Sequence, residues 1–280
     1  MESWRPVRPA VACPDPLRWN DDDVTLAWLG HATVLINFFG LTVLTDPALF
    51  PRVGLRLPGF TVGPKRLTRS ALGVRDLPAI HLIVLSHAHF DHLDLHTLRC
   101  FDRSTVVVTA QGTADLLRWT RFTSITELGW NETGEVTTTA GKITVTAVPV
   151  RHWGARMRHD LHRGYNGYVL EREGRRILFS GDTAYTPVFG DLRRFGRIDV
   201  ALMSVGCYNP WIHSHCTPEQ AVSMATDAGA EFIVPIHHQT FRLSAEPFLE
   251  PIDRFERALR DEPHRIALRE IGATFVLPPG

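Results

Sequence analysis

The chain has 280 residues, 44% hydrophobic and 21% charged, with 30 basic and 30 acidic side chains, so it can build one large domain or two small ones without net charge. That balance argues against nucleic acid or an anionic membrane as an obligatory partner, and the ordinary composition argues against disorder. Four cysteines, Cys13, Cys100, Cys207 and Cys216, form no Cys-x-x-Cys pair and are too few for a disulfide framework, which reads as reduced thiols in a cytoplasmic protein. The N-terminus lacks an apolar signal region, and no stretch approaches the roughly 20 apolar residues needed to span a bilayer, so secretion and membrane insertion are not expected.

Residues 1–22 hold four prolines and read as an extended arm lying over the body, with Trp4 and Trp19 packing on the surface. Residues 23–280 read as a single domain. Strands are predicted over 24–29, 34–38 and 41–45, the last two joined as a hairpin through Gly40. Residues 47–79, rich in Pro, Gly, Arg and Leu, show no period and are expected to be an irregular, functional or mobile insertion. A buried strand over 80–86, a helix over 93–100, a strand over 105–109 and a helix over 113–119 follow, then strands over 125–128, 136–139 and 142–150.

The second half echoes the first. Residues 168–180, turning at Gly174, resemble 34–46, turning at Gly40, and a buried strand follows each hairpin, at 198–204 and 80–86. Two strand-rich halves closed by helices favour an α/β sandwich of two mixed β-sheets flanked by helices. Thr217-Pro218-Glu219-Gln220 is a helix start with a capping box, and the helix is expected to run to about Ala228 and stop at Gly229. A strand over 232–236, then His237-His238, an amphipathic helix over 247–260 and a closing strand over 267–277 complete the chain.

The run His87-Ala-His89-Phe-Asp91-His92 follows a strand that reads as buried. Three imidazoles and a carboxylate crowded there suit a pair of borderline metal ions, since buried polar groups otherwise need partners. His152, Asp182 and His237 also stand at strand ends or in the loops that follow, where rigid scaffolds place chemistry. Four strand ends each offering a ligand type could converge on one point.

The order His-x-His-x-Asp-His, a single His, Gly-Asp-Thr and a final His resembles the metallo-β-lactamase superfamily over residues 24–240. The resemblance implies an αββα sandwich with a two-metal site, in which His87, His89 and His152 bind one ion, Asp91, His92 and His237 the other, and Asp182 bridges. Trp28-Leu-Gly-His31-Ala, Thr45-Asp-Pro47, His152-Trp-Gly-Ala-Arg156 and His215-Cys-Thr-Pro-Glu-Gln-Ala-Val222 are similar to the branch that hydrolyses N-acylphosphatidylethanolamine, phospholipase D-like enzymes. His238 departs from that pattern, which usually has Trp there. Sugar-phosphate lactonases share the Gly-His-Ala strand, which leaves that reading open.

Two dications about 3.5 to 4 Å apart hold a bridging hydroxide at neutral pH and polarise a phosphoryl or carbonyl oxygen. The expected cofactors are two Zn2+, with Mn2+ or Fe2+ as alternatives. Asp91 and Asp182 would orient the hydroxide, and His215 would bind the transition-state oxygen or protonate the leaving group, unless it is a capping or surface residue. Trp153, Arg156 and His31 are the substrate-side candidates, with His31 alternatively orienting a ligand or playing a structural part. From Pro47 to Leu77, Leu49, Phe50, Val53, Leu55, Leu57 and Phe60 beside Arg52, Arg56, Lys65, Arg66 and Arg69 would suit an amphiphilic anionic substrate, or a loop covering a sheet edge. The expected reaction is hydrolysis of a phosphodiester, or, using the same two ions, of a lactone or other carboxylic ester. The expected partners are a small-molecule or lipid-like ester, no nucleic acid and at most peripheral membrane contact, with a homo-oligomer left open.

Overall fold

A computed structural model describes residues 6–157 and 159–279. In chain order the first half forms β1 (Val24–Gly30), β2 (Thr33–Phe38), β3 (Leu41–Thr45), a small hairpin of β4 (Leu55–Leu57) and β5 (Phe60–Val62), β6 (Leu82–Leu85), α1 (Leu95–Leu98), β7 (Val106–Ala110) and β8 (Ile125–Leu128). The second half forms β9 (Thr133–Thr138), β10 (Gly141–Val148), β11 (Gly167–Arg172), β12 (Arg175–Phe179), β13 (Ile198–Ser204), α2 (Pro218–Asp227), β14 (Ala230–Ile236), α3 (Glu250–Ala258) and β15 (Thr274–Val276).

The two main sheets run β15-β1-β2-β3-β6-β7-β8 and β14-β13-β12-β11-β10-β9. Each contains the same sequence of pairings. β1, β2 and β3 are antiparallel neighbours, and β6 and β7 then add in parallel. β10, β11 and β12 are likewise antiparallel, and β13 and β14 add in parallel. The echo seen in the sequence is thus a repeated topology, and it sets the ends of corresponding strands facing one another across the sandwich.

β1, β2, β6, β7 and β13 are buried along their whole length, as near-continuous apolar runs require when both faces of a sheet are covered. Trp28, Ile36, Phe38, Val84, Tyr168, Phe179 and Leu202 meet in a core between the sheets. The outer face of the second sheet packs on α2, α3 and the 3-10 helix Pro187–Phe195, and that of the first on α1 and the 3-10 helix Ala114–Trp119. This is the expected αββα order of layers. Each fully buried side chain of this size contributes about 1.5–3 kcal/mol. Under the site the layers are also tied by polar contacts: Tyr168 Oη donates to the Leu85 carbonyl (3.0 Å), and Asn166 Nδ2 donates to the Leu128 carbonyl (2.8 Å).

Several local expectations change. The helix predicted over 93–100 shrinks to α1, because the Asp94 carboxylate accepts the His96 and Thr97 N–H groups and starts the helix there. The helix predicted over 113–119 is the 3-10 helix Ala114–Trp119, and the closing strand is reduced to β15, its earlier residues spending their N–H groups elsewhere, Ala267 on Ile233 and Gly272 on Trp28. The Thr217 capping box is present as predicted. Along the arm, Arg8 bridges to Thr68 and the N–H groups of Val11 and Ala12 donate to the Ile271 carbonyl, while Trp19 packs against the outer core of the first sheet. Trp4 lies outside the described residues. All four cysteines are free, and no helix among the described residues is long and apolar enough to cross a membrane.

Candidate metal centre

The site is assembled from the ends of strands at one edge of the sandwich. In the first sheet, Asp46 follows the end of β3, and Ser86 follows β6 and leads into the histidine run. The Asp46 carboxylate accepts the Ser86 N–H (2.7 Å), the Ser86 hydroxyl and His92 Nδ1 (2.6 Å). Because the Ser86 hydroxyl donates to Asp46, its oxygen accepts from His87 Nδ1 (2.8 Å). These partners fix a proton on Nδ1 of both rings and turn both Nε2 atoms into the cluster, bare on His87 and, on His92, bare once a bound cation takes the place of its second proton.

The second sheet supplies its groups singly. His152 follows β10 and donates from Nδ1 to the Ser214 carbonyl (2.8 Å), which again leaves Nε2 bare. Asp182 follows β12 after Gly181, whose positive φ and close packing exclude a side chain: an added Cβ would lie 2.7 Å from the Asn166 carbonyl oxygen and 2.8 Å from the Ser86 Cβ. His237 follows β14. His31, Asp46, Cys207 and His237 all take left-handed backbone although none is glycine, strain of the kind that collects at functional sites.

The groups converge in two overlapping sets. His89 Nδ1 lies 2.8 Å from His87 Nε2 and 3.3 Å from His152 Nε2. His92 Nε2 and His237 Nε2 lie 3.1 Å apart, each 3.6 Å from Asp91 Oδ2, and Asp182 Oδ2 lies 3.1 and 3.2 Å from them and 3.9 Å from His152 Nε2. His31 Nε2 donates to Asp91 Oδ2 (2.9 Å). Burial works against charge on Asp91 and Asp182, yet His92 and His237 hold both carboxyls well below the usual range. Burial also opposes protonation of His92, but Asp182, Asp91 and Asp46 outweigh it and lift the ring to about 10; His237 rises well above 6.5 for the same reason. Burial and neighbouring imidazoles push His89 down to about 3 and His87 well below 6.5, so these rings are neutral nitrogen donors at pH 7.

A metal pair suits this donor set. The facing nitrogens of His87, His89 and His152 include two that already hold their proton on the far side of the ring, so a single N–H of His89 is all that could serve two lone pairs, a deficit that a cation among them removes. His89 Nε2, His215 Nδ1 and His237 Nδ1 are buried without a hydrogen-bond partner. Imidazoles with a few carboxylates are the ligands of zinc-like ions.

The cluster floors a cavity of about 210 Å³ that is also walled by Trp153, Cys207, Trp211, Ser214, His215 and Leu243. Trp153 and Trp211 are about half exposed and stand at its rim. His215 Nδ1 is 3.9 Å from Asp182 Oδ2, and burial brings its ring down to about 3. Arg156 sits differently from its expected place. Its guanidinium donates to the carbonyls of Ala88 (2.9 Å) and Leu93 (2.8 Å) and stacks on Phe90, bracing the histidine loop from behind, outside the cavity. His31 touches Asp91 rather than the cavity wall. His238 points away from the cluster, stacks on Trp28 with ring centroids 4.6 Å apart, and is brought down to about 3 by burial.

Asp46 and the wall residues Cys207, Trp211 and Ser214 carry no assignment from the sequence. Only Asp46 left a signal, an acidic residue at the end of an apolar strand before Pro47. A family model described as a beta-lactamase superfamily domain matches residues 42–238. The chain belongs to the metallo-β-lactamase superfamily. It is a metal-dependent hydrolase of that superfamily. Among its relatives, N-acyl-phosphatidylethanolamine-hydrolyzing phospholipase D 1 of Caenorhabditis elegans is 31% identical over 83% of this chain and 68% of its own length. The mitochondrial N-acyl-phosphatidylethanolamine-hydrolyzing phospholipase D of Saccharomyces cerevisiae is 32% identical over 82% of this chain and 50% of its own length. Igni18, a metallo hydrolase from the archaeon Ignicoccus hospitalis, shares the superfamily fold with a TM-score of 0.68 at 19% identity, over 92% of this chain and 99% of its own.

Proposed function

We propose that this chain is a two-zinc phosphodiesterase of phospholipase D type, cleaving a phosphodiester whose leaving group is an alcohol. The observation that carries the reading is the pair of overlapping donor sets on the cavity floor: His87, His89 and His152 would hold one ion, Asp91, His92 and His237 the other, with Asp182 between them. Bound there, two dications supply a water acidified toward neutral pH and Lewis acidity for a phosphoryl oxygen. The similarity to two phospholipases D supports the phosphodiester as substrate.

The chain's own groups have defined tasks in this reaction. Asp46, Ser86 and the Ser214 carbonyl hold His92, His87 and His152 in the tautomers that present bare Nε2 atoms. Asp91 and Asp182, kept ionised by the histidines around them, accept a hydrogen bond from the attacking water and orient it while offsetting the metal charge. His215, neutral at pH 7, donates an N–H hydrogen bond to a substrate oxygen instead of acting as a charged acid. Trp153 and Trp211 offer apolar walls for the part of the substrate beyond the phosphate. The sum is addition of water across the P–O bond, giving a phosphomonoester and a free alcohol.

A second reading, a lactonase or other carboxylic-ester hydrolase, draws support from the cavity: about 210 Å³ is below the roughly 300–1,000 Å³ usual for a ligand pocket and suits a small cyclic ester. Rates on bis(p-nitrophenyl) phosphate and N-acylphosphatidylethanolamine are to be compared with rates on a lactone panel, each with zinc or manganese restored. Phosphodiester turnover well above lactone turnover is expected; the reverse order overturns the phosphodiester assignment.

A further inference from the structure

The hairpin β4–β5 projects apolar side chains for which the fold has no use. Leu55 pairs with Val62 and Leu57 with Phe60, so the strand register puts all four on one face, while Arg56 and Thr61 share the other. The four are 53%, 53%, 37% and 60% exposed in that order, an apolar face with nothing packed on it among the described residues. Pro58 and Gly59 turn the tip. Its base is held close: an added Cβ on Gly54 would lie 2.1 Å from the Val62 carbonyl oxygen, so the strands stay clamped and the face is presented as a unit.

The charge around this face is one-sided. Between Pro47 and Arg75 the sequence holds no Asp or Glu, and the hairpin and its base carry Arg52, Arg56 and Lys65, within a chain whose overall charge is zero; Arg66 is buried on the Phe50 and Ala48 carbonyls and takes no part. Arg52 and Lys65 bridge directly at the hairpin base, so an apolar tip rises from a cationic collar. A groove of about 360 Å³ runs between Leu55, Arg56 and Thr61 of the hairpin and Phe90, Asp94 and Arg156. Phe90 and Arg156 belong to the loops that carry His89, Asp91 and His152, so the hairpin stands next to the metal centre.

We propose that the β4–β5 hairpin docks the enzyme on an anionic lipid bilayer, its apolar face entering the boundary between headgroups and acyl chains and its basic residues meeting the headgroup phosphates. A surface element with an apolar face and flanking Lys and Arg binds in this way, through buried apolar area plus attraction to negative lipid. A second copy of the chain is the weaker occupant, because four side chains fall far short of the ~800 Å² per partner of a stable dimer, and the one-signed collar of two copies would repel. Docking rests on the phospholipase reading only for its purpose, which is to bring a lipid phosphodiester to the cavity mouth.

Co-sedimentation of the full chain with vesicles of phosphatidylcholine alone and of phosphatidylcholine mixed with phosphatidylglycerol tests the proposal. Binding to the mixed vesicles, weakened by salt, is expected. L57S/F60S should lower that affinity about ten-fold or more, and R56Q about five-fold, with hydrolysis of soluble bis(p-nitrophenyl) phosphate unchanged in both. The proposal falls if the wild-type chain ignores anionic vesicles, if L57S/F60S binds them as well as wild type, or if sedimentation velocity shows a dimer that this double substitution dissolves. Vesicle binding lost in L57S/F60S, in a protein that turns over no phosphodiester, would support the docking while refuting the substrate.

Discussion

The two halves of the sandwich share one strand order yet furnish the site in opposite ways. The first half concentrates its donors in a single loop after β6, six residues long, and backs that loop with Asp46 and Ser86. The second half spreads its donors over three loops, placing His152 after β10, Asp182 after β12 and His237 after β14. A local motif can be positioned by one turn and its braces, whereas a distributed set depends on the register of a whole sheet. Asp182 is the meeting point: its Oδ2 approaches His92 of the first half and His237, His152 and His215 of the second.

Removing one donor from each half probes that contrast most strongly. Asp182→Ala and His89→Ala should each bring bound metal below two per chain and slow hydrolysis roughly 10³-fold or more, with Asp182→Ala retaining less metal because it serves both sets. Metal analysis beside turnover reads this, and full metal content with unchanged rates in both variants would refute the ligand assignment. The next effect tests the braces of the first half. Asp46→Asn leaves every ligand in place but loosens the hold on His92 and His87, and should weaken metal affinity about 10–100-fold in a chelator competition. An unchanged affinity would mean that the loop after β6 positions itself.

The mildest test removes the metal and varies pH. In chelator-treated protein, His31, His89, His215 and His238 lie near 3, against 6.5 when unfolded. Their depressed values make the unfolded chain bind more protons below pH 6.5, so stability is lost progressively as pH falls from 6.5 toward 3. His92, raised to about 10, works the other way: its contribution is complete below 6.5 and is lost as pH rises toward 10. His87 and His152 are lowered as well and His237 is raised with His92, so the lowered rings of the site still outnumber the raised ones, the acid limb is the steeper, and Tm of the metal-free chain should peak near pH 6.5. Zinc, which occupies the nitrogens in place of protons, should flatten both limbs. A monotonic profile would show that these rings are not buried in solution.

Much of this was legible before any coordinates. The apolar runs at 24–29, 41–45, 80–86 and 198–204 identify buried strands because a strand covered on both faces needs apolar side chains throughout. The repeated hairpins around Gly40 and Gly174 mark the two halves, and His87 to His92 mark metal chemistry because so many donors in six residues have few other uses. The hairpin β4–β5 escaped, since three-residue strands are too short to show a period of two and its apolar side chains face outward instead of inward. Arg156 was expected at the cavity because it neighbours His152 in sequence. In space, its guanidinium turns to two carbonyls of the opposite half, which chain proximity does not encode. Residue types and local patterns therefore determined the strands, the repeat and the identity of the donors. Which nitrogen of each ring is bare, which carboxylate braces and which is shared, and which apolar side chains are left uncovered were decided only by the tertiary structure, because each depends on partners tens to hundreds of residues away, brought together by the packing of two sheets.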